Sequence, residues 1–249
     1  MGKQGEVDYF SALTPHEQRH AVGKPFSDIH CGVLLTRMGQ VMTLLPPAPA
    51  RVLDLGCGTG WTSVFLAQRG YDVVGVDIAP DMVRAAQQNA PLPTAQKLEF
   101  RVADYESLDA TDDFDGVVFF DSLHHAEDEQ AALQCAYRAL KTGGVCVVSE
   151  PGKGHHEAAA SVHAVDEYGV TEKEMPPSKV ISLARKIGFK SWRVKPNHGQ
   201  LLTLLNGSQL SQRGGLLGWL LQIPILKPVV SIGLIAGGRY LSGVVTLVK

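Results

Sequence analysis

The stretch Arg51–Gly60, with the sequence RVLDLGCGTG, holds the residue types best suited to binding a ligand. A short apolar run leads into three glycines at alternate positions, Gly56, Gly58 and Gly60, and a helix-compatible segment follows at 61–69. Glycines allow positive φ angles and let a ligand lie against the backbone without a Cβ in the way. The helix start offers unpaired N–H groups to anionic parts of a ligand. The stretch therefore predicts a strand, a tight loop and a helix that bind a nucleoside-type cofactor.

Three further acids stand where predicted strands end. The strand-like runs 72–77 and 114–121 end in Asp77 and Asp121, and the run from 98 ends in Asp104. Asp77 follows the first glycine by about 20 residues, where a doubly wound sheet places a carboxylate that accepts hydrogen bonds from two ribose hydroxyls. The GxGxG spacing differs from the GxGxxG of dinucleotide sites. The acids and the glycines together favour a cofactor with one nucleoside.

The order of these motifs closely resembles the class I S-adenosylmethionine-dependent methyltransferases, tightly over 50–151 and in outline elsewhere. The resemblance implies a three-layer α-β-α Rossmann-like fold. Its seven-stranded sheet would be mostly parallel, with an antiparallel last strand. S-adenosylmethionine would be the cofactor. On the residues alone, a Rossmann-like domain that binds another nucleotide, or no nucleotide, is the alternative.

The resemblance also assigns roles to single residues at the first two strand ends. The glycine loop would pass under the methionine part of the cofactor. Asp54 would position this loop or reach the amino group through water. Asp77 would hold the ribose, and Ile78 would cover one face of the adenine.

At the next two strand ends, the resemblance implies contacts with the adenine and with the reacting centre. Asp104 would accept a hydrogen bond from the adenine amino group, with Tyr105 beside it. Phe120 and Asp121 would line the sulfonium end, from which the methyl group leaves. Methyl transfer is an in-line displacement, so an enzyme needs mainly to align its reactants, and a base is required only for a protonated nucleophile.

His124 and His125 are the best-placed candidates for such a base. They follow the fourth predicted strand at the carboxyl edge, where open α/β sheets bind ligands. A neutral imidazole can accept a proton from a hydroxyl or an amine. His125 is favoured slightly because it lies further from the strand. The alternative is that either ring only packs over the cofactor.

A second polar cluster follows the fifth predicted strand. Glu150 is predicted to orient a histidine or to bind a substrate hydroxyl. The triplet His155-His156-Glu157 suggests a metal site, but adjacent histidines rarely chelate alone and no further ligand is identifiable, so we expect none. Tyr168 and Glu172 are candidate lid or substrate contacts, with a solvated loop as the alternative.

Apolar spacing, Pro, Gly and capping residues predict the elements that position these groups. The predicted helices are Tyr9–His20, Ile29–Leu45, Trp61–Arg69, Pro80–Asn89, Glu127–Lys141 and Ser178–Lys186, and the later strands are Val145–Glu150, Ser191–Lys195 and Gly243–Val248. One domain is expected for 1–249. It divides into a helical lid at 1–49, a cofactor-binding core at 50–205, an apolar insertion at 206–242 and a last strand at 243–249.

The segment 214–238 is apolar, with Lys227 as its only charge. Pro224 and Pro228 interrupt it, and its uncharged parts are shorter than the roughly 20 residues that span a bilayer, so a transmembrane helix is not expected. A buried insertion before the last strand is favoured. An apolar substrate pocket, a homodimer interface and peripheral membrane contact are the alternatives.

Composition narrows the choice of partners and of acceptor. The formal net charge is -2, and no run of basic residues interleaved with aromatics occurs, so nucleic acid is not expected as a partner. Cysteines without metal or CxxC spacing and the lack of a signal sequence predict a cytoplasmic protein with reduced thiols. The acceptor is expected to be a small-molecule or glycan hydroxyl. Methylation of nitrogen or carbon, and a non-catalytic module that binds S-adenosylmethionine, are the alternatives.

Overall fold

The computed structural model describes residues 2–90, 97–206, 219–220, 223, 225–226, 229–230, 233 and 242–249. The strands are β1 (Arg51–Leu55), β2 (Asp72–Asp77), β3 (Leu98–Val102), β4 (Phe114–Phe120), β5 (Leu140–Ser149), β6 (Ser191–Lys195) and β7 (Val244–Val248). The helices are α1 (Gly2–Ala12), α2 (Pro15–Val22), α3 (Cys31–Leu44), α4 (Trp61–Arg69), α5 (Pro80–Asn89), α6 (Glu129–Ala139), α7 (Ala159–Tyr168), α8 (Pro177–Ile187) and α9 (His198–Asn206). Short 3-10 turns cover Leu123–His125 and His155–Glu157.

The seven strands form one sheet in the order β3-β2-β1-β4-β5-β7-β6. Neighbouring strands from β3 to β5 are parallel, and β7 runs antiparallel to both β5 and β6. The predicted fold class is therefore confirmed. The strand order reverses between β1 and β4, and the parallel strands all end at one edge, which is where open α/β sheets bind ligands.

Helices cover both faces of the sheet. On one face, Met38 and Val41 of α3 and Leu66 of α4 pack against the sheet in one buried cluster. On the other face, Leu133 of α6 and Val180 of α8 belong to a second buried cluster. Residues of the central strands contribute to both clusters because alternate side chains of a strand point to opposite faces. This packing gives the three layers and fixes the strand ends that carry the site.

The N-terminal region has three helices where the sequence analysis predicts two. The predicted helix Tyr9–His20 is interrupted at Thr14, which is the N-cap of α2. The Thr14 side chain accepts a hydrogen bond from Glu17 N, and the Glu17 carboxylate accepts one from Thr14 N. With Pro15 at the first helical position, this is a complete capping box, which the sequence displays as Thr-Pro-His-Glu.

Other predicted boundaries differ by a few residues at most, with one exception. The helices α4 and α5 and the strand β6 have the predicted ends, and Gly188 caps α8 as expected. The exception is β5, which begins at Leu140 rather than Val145. A register shift between Phe114 and Gly116 of β4 lets Leu140 pair with the start of β4, so Leu140 and Lys141, which were predicted as the end of a helix, belong to the strand.

Most of the apolar segment 214–238 lies outside the described residues, so its predicted burial stays a prediction. Among its described positions, Trp219, Ile225 and Val229 are exposed. Within the described part of the chain, no helix has both the length and the apolar character that crossing a bilayer requires. The four cysteines are free thiols, and three of them are buried.

Gly58 and Gly60 give a matched test of the loop geometry. Both have positive φ angles, 53° and 84°, but a Cβ on Gly60 would lie 2.8 Å from Ala86 Cβ, whereas a Cβ on Gly58 would meet nothing within 4 Å. Each Gly→Ala change costs about 1–2 kcal/mol of backbone strain. We expect Gly60→Ala to lower the free energy of unfolding by roughly a further 1–3 kcal/mol because helix α5 must shift. Urea titrations measure this difference, and equal destabilisation by the two substitutions would contradict it.

Candidate active site at the carboxyl edge of the sheet

A cavity of about 500 Å³ opens at the carboxyl edge of the sheet. Helices α1, α2 and α7 contribute to its walls together with the loops that follow β1 to β4. Nine predicted site residues line it: Gly56, Gly58, Asp77, Ile78, Asp104, Tyr105, Phe120, Asp121 and His125. The other four, Asp54, Gly60, His124 and Glu150, support the wall from behind.

Asp54 holds the glycine loop from beneath. Its side chain is buried, and one carboxylate oxygen accepts hydrogen bonds from the hydroxyls of Thr62 and Ser63, each at 2.6 Å. Burial raises the pKa of Asp54, while the two hydroxyl donors lower it in part. Because Thr62 and Ser63 lie in the first turn of α4, Asp54 ties the end of β1 to the start of this helix. This geometry fits the loop-positioning role predicted for Asp54.

Asp77 connects the glycine loop to the end of β2. Its carboxylate accepts hydrogen bonds from Gly58 N at 2.8 Å and from Ala79 N at 2.9 Å. Burial raises its pKa, and these two N–H donors oppose the shift. Since a carboxylate has about four lone pairs, two acceptor positions remain for hydroxyls of a ligand in the cavity.

The loop also fits the methionine part of S-adenosylmethionine. Gly58 lines the cavity, and a Cβ built on it projects into space that no protein atom within 4 Å fills. A ligand can therefore lie directly against the backbone here. This open surface and the remaining acceptor positions of Asp77 fit the shape and the hydrogen-bond donors of S-adenosylmethionine.

The predicted adenine-binding side has an additional charged residue. Asp104 accepts a hydrogen bond from Lys3 Nζ at 2.5 Å through one oxygen and from Glu106 N at 2.9 Å through the other. Tyr105 donates a hydrogen bond to the Ser122 carbonyl at 2.9 Å, and burial raises its pKa well above its usual value. Lys3 thus occupies one oxygen of Asp104, the residue predicted to bind the adenine amino group, and the sequence analysis did not foresee this contact.

Phe120 and Asp121 form the wall at the predicted sulfonium end. Arg37 of α3 donates to both carboxylate oxygens of Asp121, at 2.6 Å each, and its guanidinium lies 4.5 Å from the centre of the Phe120 ring. Burial opposes ionisation of Asp121, but the charge of Arg37 outweighs it, so the pKa of Asp121 lies below its usual value. Trp61 packs edge-on against Phe120. The wall is therefore rigid, and Asp121 stays ionised.

Glu150 organises the turn that carries the two histidines. One oxygen accepts hydrogen bonds from Ser122 N and Leu123 N, both at 2.9 Å, and the other lies 2.6 Å from His124 Nδ1. Both Glu150 and His124 are buried, behind the cavity wall. The contact of Glu150 with the His124 ring fits the first of its two predicted roles, the orientation of a histidine, and Glu150 does not line the described cavity. His124 faces Glu150 rather than the open cavity, which disfavours His124 as the base.

His125 faces the cavity, but its imidazole is already engaged. Nδ1 lies 2.7 Å from the Thr171 carbonyl, to which it donates, and 3.4 Å from Glu6 Oε1. Burial lowers its pKa, but the Glu6 carboxylate and further acceptors outweigh burial and raise the pKa to about 9. His125 is consequently protonated at neutral pH in this conformation, so it cannot accept a proton until its surroundings change.

The side chains of the triplet His155-His156-Glu157 do not converge on one point. His155 Nε2 lies 2.6 Å from Glu172 Oε2, whereas His156 is half-exposed and lies 3.7 Å from Glu157 and Glu174. Burial raises the pKa of Glu172, but the hydrogen bond from His155 and the charges of the neighbouring histidines have a larger, opposite effect. The pKa of Glu172 is therefore below its usual value. Glu172 and the other candidate contact, Tyr168, both line the cavity.

Sequence reasoning missed the charged partners Lys3, Glu6 and Arg37. Lys3 and Glu6 are three residues apart and so share one face of α1, a spacing that could have identified them. The predicted first helix began only at Tyr9, which left both outside it. Arg37 carried no local signal, since its partner Asp121 is 84 residues away.

The comparison with known protein families finds a methyltransferase domain at residues 53–148. The ubiquinone biosynthesis O-methyltransferase of Xanthomonas oryzae pv. oryzae is 33% identical over 156 residues, which cover 59% of this chain and 60% of the relative. The matched region thus spans about 60% of the length of the curated relatives.

Solved structures show the same fold. Phosphoethanolamine N-methyltransferase 2 of Haemonchus contortus, in complex with S-adenosyl-L-methionine, superposes with a TM-score of 0.61 at 19% identity, over 86% of this chain and 52% of that chain. An S-adenosylmethionine-dependent methyltransferase of Mesorhizobium loti superposes with a TM-score of 0.59 at 18% identity, over 86% and 98%. Domain match, sheet order and glycine loop agree: residues 53–148 are a methyltransferase domain, and the fold around it is that of the class I S-adenosylmethionine-dependent methyltransferases.

Proposed function

We propose that this protein transfers the methyl group of S-adenosylmethionine to a hydroxyl group of a small molecule, with sugars included in that class. One observation carries the proposal: a single cavity joins the cofactor-binding loops to a wall with His125 and Glu172. The relatives named O-methyltransferases support a hydroxyl acceptor, although the matched region covers 60% of their length.

The chain's own residues would hold the two reactants in line. Asp77 and the glycine loop would bind the cofactor, and the rigid pair of Phe120 and Asp121 would fix the direction of approach. The cofactor supplies a methyl group on a sulfonium. The acceptor oxygen forms the new bond to that methyl carbon, the carbon–sulfur bond breaks with its electron pair remaining on sulfur, and the hydroxyl proton leaves the acceptor.

Another group must accept the proton that the acceptor hydroxyl loses. His125 is the predicted base, and it faces the cavity, but it carries a proton while Glu6 and Thr171 surround it. Displacement of Glu6 would lower the pKa of His125 toward its usual value because the largest stabilising charge would be gone. In our proposal, His125 acts only after such a displacement, and His124 and Glu150 position it.

An amine acceptor is a second candidate, and the charge of the cavity favours it. The acidic residues along the described walls are Glu6, Glu17, Asp77, Asp104, Glu106, Asp121 and Glu172, and the lysines are Lys3 and Lys24. Lys3 and Arg37 neutralise part of this charge, but the remaining carboxylates attract cations. A protonated amine would therefore enter this cavity readily.

Helix α1 would serve as part of the proposed lid. It contributes Lys3 to the Asp104 side of the cavity and Glu6 to the His125 side. A bound ligand would thus lie between this helix and the sheet edge. Glu6 also accepts a hydrogen bond from Thr171 N at 2.7 Å, and Lys3 N donates to Glu127 at 3.0 Å, so opening requires that these contacts break together.

The ribose assignment predicts a specific loss of affinity. Asp77→Asn keeps the shape of the side chain but removes the charge from its hydrogen bonds to ribose hydroxyls, so binding of S-adenosylhomocysteine should weaken by about 10- to 100-fold. Asp81→Asn is the matched control, since Asp81 lies four residues away and pairs with Arg84. Isothermal titration calorimetry measures both. Equal affinities for the two variants would remove Asp77 from the cofactor site.

The lid proposal predicts a local change in hydrogen exchange. Addition of S-adenosylhomocysteine should slow amide exchange in α1, because the ligand would hold Lys3 and Glu6 against the sheet edge. Helix α8 packs against the core and contributes no residue to the cavity wall, so it provides the internal control. Mass spectrometry of the exchanged peptides gives the result. A bound ligand that leaves exchange in α1 as fast as before would refute the lid.

The acceptor class can be tested without knowing the acceptor. The protein is incubated with a metabolite extract and S-adenosylmethionine carrying a CD₃ group, and labelled products are identified by mass spectrometry. We expect CD₃ on oxygen of a small molecule. Label on nitrogen would support the amine alternative, and the absence of labelled product from extracts of several sources would contradict a methyltransferase activity.

His125→Ala tests whether His125 is the proton acceptor. Once an acceptor is known, this variant should lower kcat by about 100-fold with little change in cofactor affinity. His163→Ala is the matched comparison, because His163 lines the same cavity on α7. A weaker cofactor affinity with unchanged kcat would instead show that His125 only packs against the cofactor.

A further inference from the structure

His124, His125 and Glu172 form a cluster whose donor atoms converge. One ligand atom from each of the three lies within 4.8 Å of the other two. His124 Nε2 and Glu172 Oε2 are 3.7 Å apart. Two atoms that bind one tetrahedral Zn²⁺ at about 2.0–2.1 Å are separated by about 3.4 Å, so this pair needs little movement to share an ion.

Each of the three side chains is also held by a partner outside the cluster. Glu150 accepts from His124 Nδ1 at 2.6 Å, and the Thr171 carbonyl accepts from His125 Nδ1 at 2.7 Å. With protons on both Nδ1 atoms, Nε2 is the atom of each ring that can bind a cation, in His125 after loss of its second proton. His155 donates to Glu172 Oε2 at 2.6 Å. A carboxylate or carbonyl on Nδ1 is the usual support of a metal-binding histidine.

From this geometry we propose that His124, His125 and Glu172 bind a divalent transition-metal cation of the Zn²⁺ class. Two imidazoles and one carboxylate suit Zn²⁺, Co²⁺ or Fe²⁺, whereas Mg²⁺ prefers oxygen ligands alone. Three protein ligands leave a fourth position open, as in catalytic zinc sites. Binding displaces the proton of His125, as metal binding to histidine requires.

Location gives the cation a role in the reaction; this step rests on the proposed function. His125 and Glu172 line the cavity, so the open position faces the acceptor side. An acceptor hydroxyl bound there would lose its proton to solvent more easily, because the cation lowers the pKa of a bound oxygen. The resulting oxygen anion attacks the methyl carbon, and the electron pair of the carbon–sulfur bond stays on sulfur. The cation would thereby replace His125 in activating the acceptor, because His125 would be its ligand and would accept no proton.

Metal binding is tested with the untagged full chain, without cofactor or acceptor. The protein is treated with EDTA, dialysed, mixed with ZnCl₂ and separated from free metal, and zinc is measured by mass spectrometry. We expect about one zinc per chain, and a Glu172→Gln variant whose zinc affinity, measured against a chromogenic chelator, is at least roughly 10-fold weaker. Substitution with Co²⁺ should give a visible absorption spectrum that changes in His125→Ala.

His156→Ala is the matched control. His156 is half-exposed beside His155 and outside the cluster, so this variant should bind zinc like the unmodified chain. Glu172→Gln conserves shape, and its melting curve shows whether it is folded. Zinc below about a tenth of an equivalent, or equal affinities for folded Glu172→Gln and His156→Ala, would overturn the proposal. Because zinc is measured without turnover, a failure of methyl transfer would count against the proposed function and leave this result intact.

Discussion

The Glu150 carboxylate is the interaction on which the acceptor side of the site depends. It caps three consecutive backbone N–H groups of the turn after β4 and also accepts from the His124 ring. The same turn is tied to other strands, because Ser122 donates to the Leu55 carbonyl and Tyr105 donates to the Ser122 carbonyl. The ends of β1, β4 and β5 and the loop after β3 are thereby joined in one buried network. Such a network is stable only when each of its polar groups has a partner.

Charged residues of the N-terminal helices pair with charged residues at the carboxyl edge of the sheet. Lys3 pairs with Asp104, Glu6 approaches His125, and Arg37 pairs with Asp121. Three of the groups that the core offers to a ligand are therefore balanced by residues outside the matched domain of 53–148. The core alone would present a strongly acidic edge. With the helices in place, the local charges and hence the chemistry of the cavity are set by both parts of the chain.

Local signals allowed the fold to be predicted, and their absence explains what was missed. The ends of α4 and α5 followed from Gly60, Gly70 and Pro80, whose conformational limits act within a few residues. That the residues proposed to bind the cofactor meet in one cavity was predictable, because they directly follow strands. The acceptor half of the site was not, since Glu172 meets His124 and His155 only through tertiary packing, 48 and 17 positions apart in the sequence. Capping at Thr14 was visible as a motif and was overlooked.

The position of β7 has a consequence for the order in which the sheet assembles. This strand is the last in sequence, yet it lies between β5 and β6 and pairs with both. During synthesis on the ribosome, β6 has no neighbour in the sheet until residues 244–248 have been made, and one edge of β5 stays open. Unpaired strand edges promote association between chains. Nascent chains of this protein therefore expose unpaired strand edges until β7 has been made, although the glycine loop and the first four strands are complete much earlier.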